Sequence, residues 1–120
     1  MELTIEQTLR PDVAAHRKGR LQVAEHLYRN ILRAQPNHRD ANHNLGALRI
    51  AAGRPLEAVP FFALALETNP TVEQFWLNYA DVLIEVSRFE EAKQLVADSA
   101  QAGVSDEKQS VLREKLWRAL

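Results

Sequence analysis

Two adjacent stretches of the chain carry the same pattern of residues. The first, "GRLQVAEHLYRNILRAQPNHRDANHNLGALRIAA", runs from Gly19 to Ala52, and the second, "GRPLEAVPFFALALETNPTVEQFWLNYADVLIEV", runs from Gly53 to Val86. Each begins with Gly-Arg, has an Ala five residues after the Gly, an aromatic residue four further on and a Pro eight beyond that. Because the copies follow each other without a spacer, the pattern indicates a chain built by stacking one structural unit.

A shift of 34 residues relates the copies along nearly the whole chain. Three kinds of residue recur at this spacing: a turn residue, a small residue and an amide. A third copy follows the two quoted above, and the pattern then fades toward the C-terminus. The matching positions are Gly19, Gly53 and Ser87, then Ala24, Ala58 and Ala92, and finally Asn44 and Asn78.

Within each copy the apolar residues recur at helical spacing. Leu45, Leu48 and Ala52 stand three and four residues apart, and no alternation typical of a strand is present. Gly53 lies between two such runs, where a left-handed residue would end one helix, and Pro55 is placed to begin the next. Each copy is therefore predicted to be a hairpin of two helices.

Small residues at the repeated Ala positions would let the two helices of a hairpin approach closely. One hairpin cannot bury its own apolar face, so consecutive hairpins should stack into a curved solenoid. The predicted fold is therefore all-α, a right-handed α-solenoid of three hairpins with a C-terminal capping helix. The seven expected helices span about 4–17, 20–34, 39–52, 55–68, 72–86, 89–101 and 106–118.

The repeated residues resemble the tetratricopeptide repeat family. Its 34-residue motif places Trp, Leu-Gly and Tyr in the first helix, and Ala, an aromatic residue, a second Ala and Pro in the second. On this resemblance, residues 1–120 form one domain with repeats at 5–38, 39–72 and 73–106 and a capping helix at 106–118. The matching residues are Ala24, Tyr28 and Pro36, then Leu45, Gly46, Ala58, Phe62, Ala65 and Pro70, and then Trp76, Ala80 and Ala92.

The resemblance implies a protein-interaction module that binds an extended peptide or a partner helix in a concave groove and has no catalytic activity of its own. Asn44 and Asn78 would fall at equivalent places in that groove, where a primary amide can hydrogen-bond a peptide backbone, as in the similar repeats of O-GlcNAc transferases. Alternatively these amides bridge neighbouring helices or face water. The expected groove residues are Arg10, Val13, Arg17, His43, Asn44, Ala47, Ile50, Gln74, Leu77, Asn78, Asp81 and Glu85, with Lys108, Val111 and Lys115 at one end.

Two hypotheses of function follow. In the first, the chain is a recruiting module, and its repeats look like those fused in bacterial chains to glycosyltransferase or sulfotransferase domains. In the second, the chain is a structural module that associates with a second copy of itself. Trp117 motivates the second hypothesis, since it either packs inward with the last helix or stands exposed at the end of the stack.

The composition excludes several other classes of function. Fifteen Lys and Arg against sixteen Asp and Glu give a formal net charge of -1, which disfavours nucleic acid as a partner. No cysteine is present, no apolar run approaches the length of a membrane span, and a soluble cytoplasmic protein is the simplest expectation. We expect no metal, cofactor or catalytic site, since the histidines have no ligand set of recognised spacing and the serines have no adjacent His–acid pair. The histidines are His16, His26, His38 and His43.

Overall fold

The computed structural model describes the backbone of residues 18–120 and the side chains from residue 21 onward. This part of the chain is all-α and contains six helices and no strand. Each observed boundary lies within two residues of its expected position, and the helix expected at 4–17 lies outside the described residues. The helices are α1 (Lys18–Ala34), α2 (Arg39–Ala51), α3 (Pro55–Thr68), α4 (Glu73–Glu85), α5 (Phe89–Gln101) and α6 (Asp106–Ala119).

Connections of three or four residues join these helices, and each helix packs against the next. Such short connections place consecutive helices side by side and antiparallel. Helices α2, α4 and α6 therefore run in the same direction, and α4 also packs directly against α6. In this arrangement one face of α2 and one face of α4 lie on a common side of the stack.

The repeated Ala positions are all buried. Ala24 is 1% exposed, and Ala58 and Ala92 are fully buried, in keeping with the expected close approach of the helices there. The buried residues form two clusters. The smaller cluster lies between α1 and α2 and includes Tyr28 and Leu45, and the larger one extends through α3, α4, α5 and α6.

Three helices end with the same backbone geometry. Gly53, Ser87 and Gly103 follow α2, α4 and α5 with φ of 73°, 61° and 82°. At each position the next residue donates its N–H to the carbonyl five residues back, for example Arg54 to Arg49 at 2.8 Å. This is the Schellman arrangement, and it confirms the left-handed helix end predicted at Gly53. Ser87 adopts the same left-handed conformation although it carries a Cβ.

Replacing Ser87 with Gly should raise the free energy of unfolding by about 1 kcal/mol. A residue with a Cβ is strained in the left-handed region by about 1–2 kcal/mol, and the greater freedom of Gly in the unfolded chain offsets part of the gain. Urea denaturation followed by circular dichroism measures the difference. Gly53→Ser is the matched control and should destabilise the protein, because it introduces the same strain one repeat earlier. Equal stability of both variants and the wild type would contradict this account.

The last helix packs on both α4 and α5. Leu112 is fully buried and Leu116 is 9% exposed, while Trp117 on the outer side is 80% exposed. The structure therefore decides between the two placements considered for Trp117 in favour of exposure. Leu120 beside it is 64% exposed.

Candidate groove between α2 and α4

A concave pocket of about 520 Å³ lies between α2 and α4. We call it the α2–α4 groove. Helices α2 and α4 form its two walls, and one residue of α3 lies at its floor. The lining residues are His43, Ala47 and Ile50 from α2, Phe62 from α3, and Gln74, Asn78, Asp81, Val82 and Glu85 from α4.

Seven of the expected groove residues in the described part of the chain line this pocket. Five do not, and three of these, Lys108, Val111 and Lys115, lie on α6 outside the lining. Leu77 is 7% exposed and belongs to the larger core cluster, so its side chain is not available at the groove surface. Asn44 is half-buried and lies outside the lining. The remaining expected positions, Arg10, Val13 and Arg17, lie outside the described residues.

Two lining residues, Phe62 and Val82, were not expected from the sequence. The repeat pattern placed Phe62 at the aromatic position of the second helix of its copy, and the residue is buried, at 6% exposure. Its ring nevertheless reaches the groove floor because Gly46 on α2 leaves room for it. A Cβ on Gly46 would stand 2.7 Å from the Phe62 Cε1 atom. The Leu45-Gly46 pair of the sequence pattern could have indicated this contact, because a Gly inside a helix leaves room for a neighbouring side chain.

Three polar side chains form a chain of hydrogen bonds at one end of the groove. Gln74 Nε2 donates to Asn78 Oδ1 at 2.9 Å, and Asn78 Nδ2 lies 2.6 Å from His43 Nε2. Since the Asn78 oxygen already accepts from Gln74, the Asn78 amide N–H donates to an unprotonated His43 Nε2. Asn78 thus bridges two neighbouring helices, which was the alternative interpretation of this residue.

The imidazole of His43 lies between two aromatic rings. Its ring centroid is 5.2 Å from that of Phe75, nearly stacked, and 5.8 Å from that of Phe62. Burial lowers the pKa of His43 below its usual value, and a hydrogen bond with the Asn44 side chain and the charge of Asp40 oppose this shift only in part. The ring is therefore neutral near pH 7, as its role as hydrogen-bond acceptor for Asn78 requires.

The opposite end of the groove is acidic. Asp81 forms an ion pair with Lys115 Nζ on α6 at 2.9 Å, so the negative charge of Asp81 is balanced within the fold. Glu85 lies one turn further along α4, is exposed, and has no cation within ion-pair distance among the described residues. Between the polar and acidic ends, Ala47, Ile50 and the Phe62 ring give the groove an apolar middle.

Residues 18–120 contain no group of three His, Asp or Glu side chains placed to hold a metal ion. His38 has a structural role instead, because its Nδ1 accepts the backbone N–H of Ala41 at 3.0 Å and caps the start of α2. None of the helices in this range has both the length and the apolar character needed to cross a membrane.

Comparison with known proteins agrees with the repeat pattern. A family model described as tetratricopeptide repeat matches residues 49–116, which is more than half of the chain. The human protein O-mannosyl-transferase TMTC3 is 32% identical over 75 residues, a match that covers 62% of this chain and 8% of that protein. The chain thus corresponds to a small part of that relative's length. With its all-helical architecture and the matched family model, the chain belongs to the tetratricopeptide repeat family.

Proposed function

We propose that this chain is a non-catalytic module that holds a segment of a partner protein in the α2–α4 groove. Tetratricopeptide repeats generally mediate contacts between proteins. The observation that carries the proposal for this chain is the open pocket of about 520 Å³ with an apolar middle between polar ends. Its size lies within the range of about 300–1,000 Å³ that is typical of ligand pockets.

Each part of the groove would contribute differently to binding. The apolar middle would remove apolar side chains of the partner from water, which is the main source of affinity. The amide of Gln74, which is exposed, has hydrogen-bonding capacity left to fix the register of a peptide backbone. The Asn78 amide would contribute less than a free amide, because His43 and Gln74 already engage it.

We further propose that the module recruits a substrate to an enzyme, such as a glycosyltransferase or a sulfotransferase. The name of the human relative, an O-mannosyl-transferase, supports a link between such repeats and sugar transfer. On this proposal the partner is a protein and not a nucleic acid, in keeping with the formal charge of -1, and the module acts in the cytoplasm.

Peptide display on the immobilised protein tests the groove directly. Short random peptides selected on the wild type should bind Ala47→Arg at least about tenfold more weakly, because the Arg side chain would fill the apolar middle. Ala47 is exposed, so this change should leave folding intact. Ala97→Arg, at an exposed Ala on α5 outside the groove, is the matched control and should bind like the wild type. Equal binding to Ala47→Arg would contradict the groove proposal.

Self-association is the second candidate function, and the exposure of Trp117 and Leu120 favours it. These two apolar side chains could pack against a second copy at the end of the stack. Light scattering over a range of concentrations distinguishes the candidates. A monomer mass at every concentration would rule out self-association and leave the groove proposal standing.

A further inference from the structure

We propose that the occupant of the α2–α4 groove is a segment in which an apolar side chain is followed closely by Lys or Arg. This inference rests on the proposed function and specifies the chemistry of the partner. The apolar residue would lie over Ala47 and Phe62, and the cation would lie against Glu85.

The groove is banded along its length. On α4, Asn78, Val82 and Glu85 follow each other at four and three residues, so the polar, apolar and acidic bands are about 4.5–6 Å apart at a rise of about 1.5 Å per residue. On α2, His43 faces Asn78 at the polar end. Two residues of an extended peptide separated by one other residue lie on the same face about 6.6 Å apart, and two residues one turn apart in a helix about 5.4 Å apart, so either pair spans the distance between the apolar and acidic bands.

The carboxylate of Glu85 lies at a position where it does not stabilise the fold. It is the last residue of α4, where the helix dipole presents its negative end and favours cations. Asp81 lies four residues earlier on the same helix, but its ion pair with Lys115 leaves Glu85 as the unpaired carboxylate of the groove. No cation of the described chain lies within ion-pair distance of Glu85.

A cation supplied by a partner would reverse each of these unfavourable terms. It would lie close to the Glu85 carboxylate and to the negative end of α4. No Lys or Arg among the described residues lines the groove, and Lys115, which reaches a lining carboxylate, is paired with Asp81. An acidic segment would meet repulsion at the same place, and an uncharged one would leave Glu85 unpaired. Charge complementarity therefore selects a basic partner.

The experiment selects short random peptides by display on the wild type and on Glu85→Lys. Peptides enriched on the wild type should carry Lys or Arg close to an apolar residue, and those enriched on Glu85→Lys should not. A synthetic peptide with the enriched sequence should bind Glu85→Gln about threefold more weakly and Glu85→Lys about tenfold more weakly than the wild type, with the difference shrinking at high salt.

Glu67→Lys is the matched control, since Glu67 is exposed on α3 outside the groove lining and the change in charge is the same. It should bind like the wild type. Loss of folding cannot mimic the result, because removing the carboxylate from the end of α4 should leave the melting temperature equal or higher.

Two different failures can be told apart. If enriched peptides are acidic or uncharged, or bind Glu85→Lys as well as the wild type, the basic-partner inference is overturned, while sensitivity to Ala47→Arg would leave the groove function intact. If no enriched peptide is sensitive to Ala47→Arg, both the inference and the proposed function are overturned.

Discussion

Trp76→Ala should lower the free energy of unfolding by about 3–5 kcal/mol. The Trp76 side chain is 5% exposed in the larger core cluster, and its indole N–H donates to the Pro70 carbonyl at 2.8 Å. The substitution would remove the largest side chain of α4 together with its hydrogen bond to the Pro70 carbonyl. Because the contact ties α4 to the connection before it, the loss should affect how α3 and α4 pack.

Urea denaturation followed by circular dichroism gives the size of the effect without relying on tryptophan fluorescence. Trp76→Phe should cost less than Trp76→Ala, because it retains most of the apolar contact and loses only the hydrogen bond. Trp117→Ala is the matched control and should change stability by less than about 0.5 kcal/mol, since that ring is 80% exposed. Similar losses at both tryptophans would contradict the described core.

Gly46→Ala should destabilise the protein by about 1–3 kcal/mol, although Ala is the better helix former by about 1 kcal/mol. The added Cβ would stand 2.7 Å from Phe62 Cε1 and 2.9 Å from Phe62 Cδ1, closer than packed atoms allow. The buried ring would have to move, and the floor of the α2–α4 groove would move with it. We therefore expect weaker peptide binding together with the loss of stability.

A double-mutant cycle isolates the Gly46–Phe62 contact. In a Phe62→Leu background, Gly46→Ala should cost much less or become stabilising, because the smaller side chain leaves room for the Cβ. Equal costs in both backgrounds would show that Phe62 is not the obstacle. The free energies of unfolding of the four proteins in the cycle provide the measurement.

Much of the helical architecture could be predicted because it depends on local chemistry. Gly53 ends α2 in the left-handed conformation and Pro55 begins α3, as their conformational preferences dictate. The 34-residue shift then extends the same boundaries to later copies, and it correctly pairs Gly53 with Ser87 although the residue type has changed. The small residues Ala58 and Ala92 are buried, as expected for the repeated Ala position.

The groove was predicted less well, because the number of helices packed around a given helix decides which of its side chains are buried and which line a groove. Leu77 was assigned to the groove, yet α4 packs against α3, α5 and α6, so a wide arc of its surface is buried and Leu77 falls inside it. The repeat period equates Asn44 with Asn78, but the residue of α2 that hydrogen-bonds Asn78 is His43, one position before Asn44. The period relates equivalent places on successive helices and does not say which side chains meet between them.

The α2–α4 groove also crosses the boundary between the two clusters of the core. Leu45 and Leu48 anchor α2 in the smaller cluster, whereas Phe62 and Val82 belong to the larger one. A bound segment that touches both walls would therefore add contacts across this boundary, beside the packing of α2 against α3. By mass action, occupancy would resist the separate opening of the N-terminal half, so partner binding and the cooperativity of unfolding would rise together.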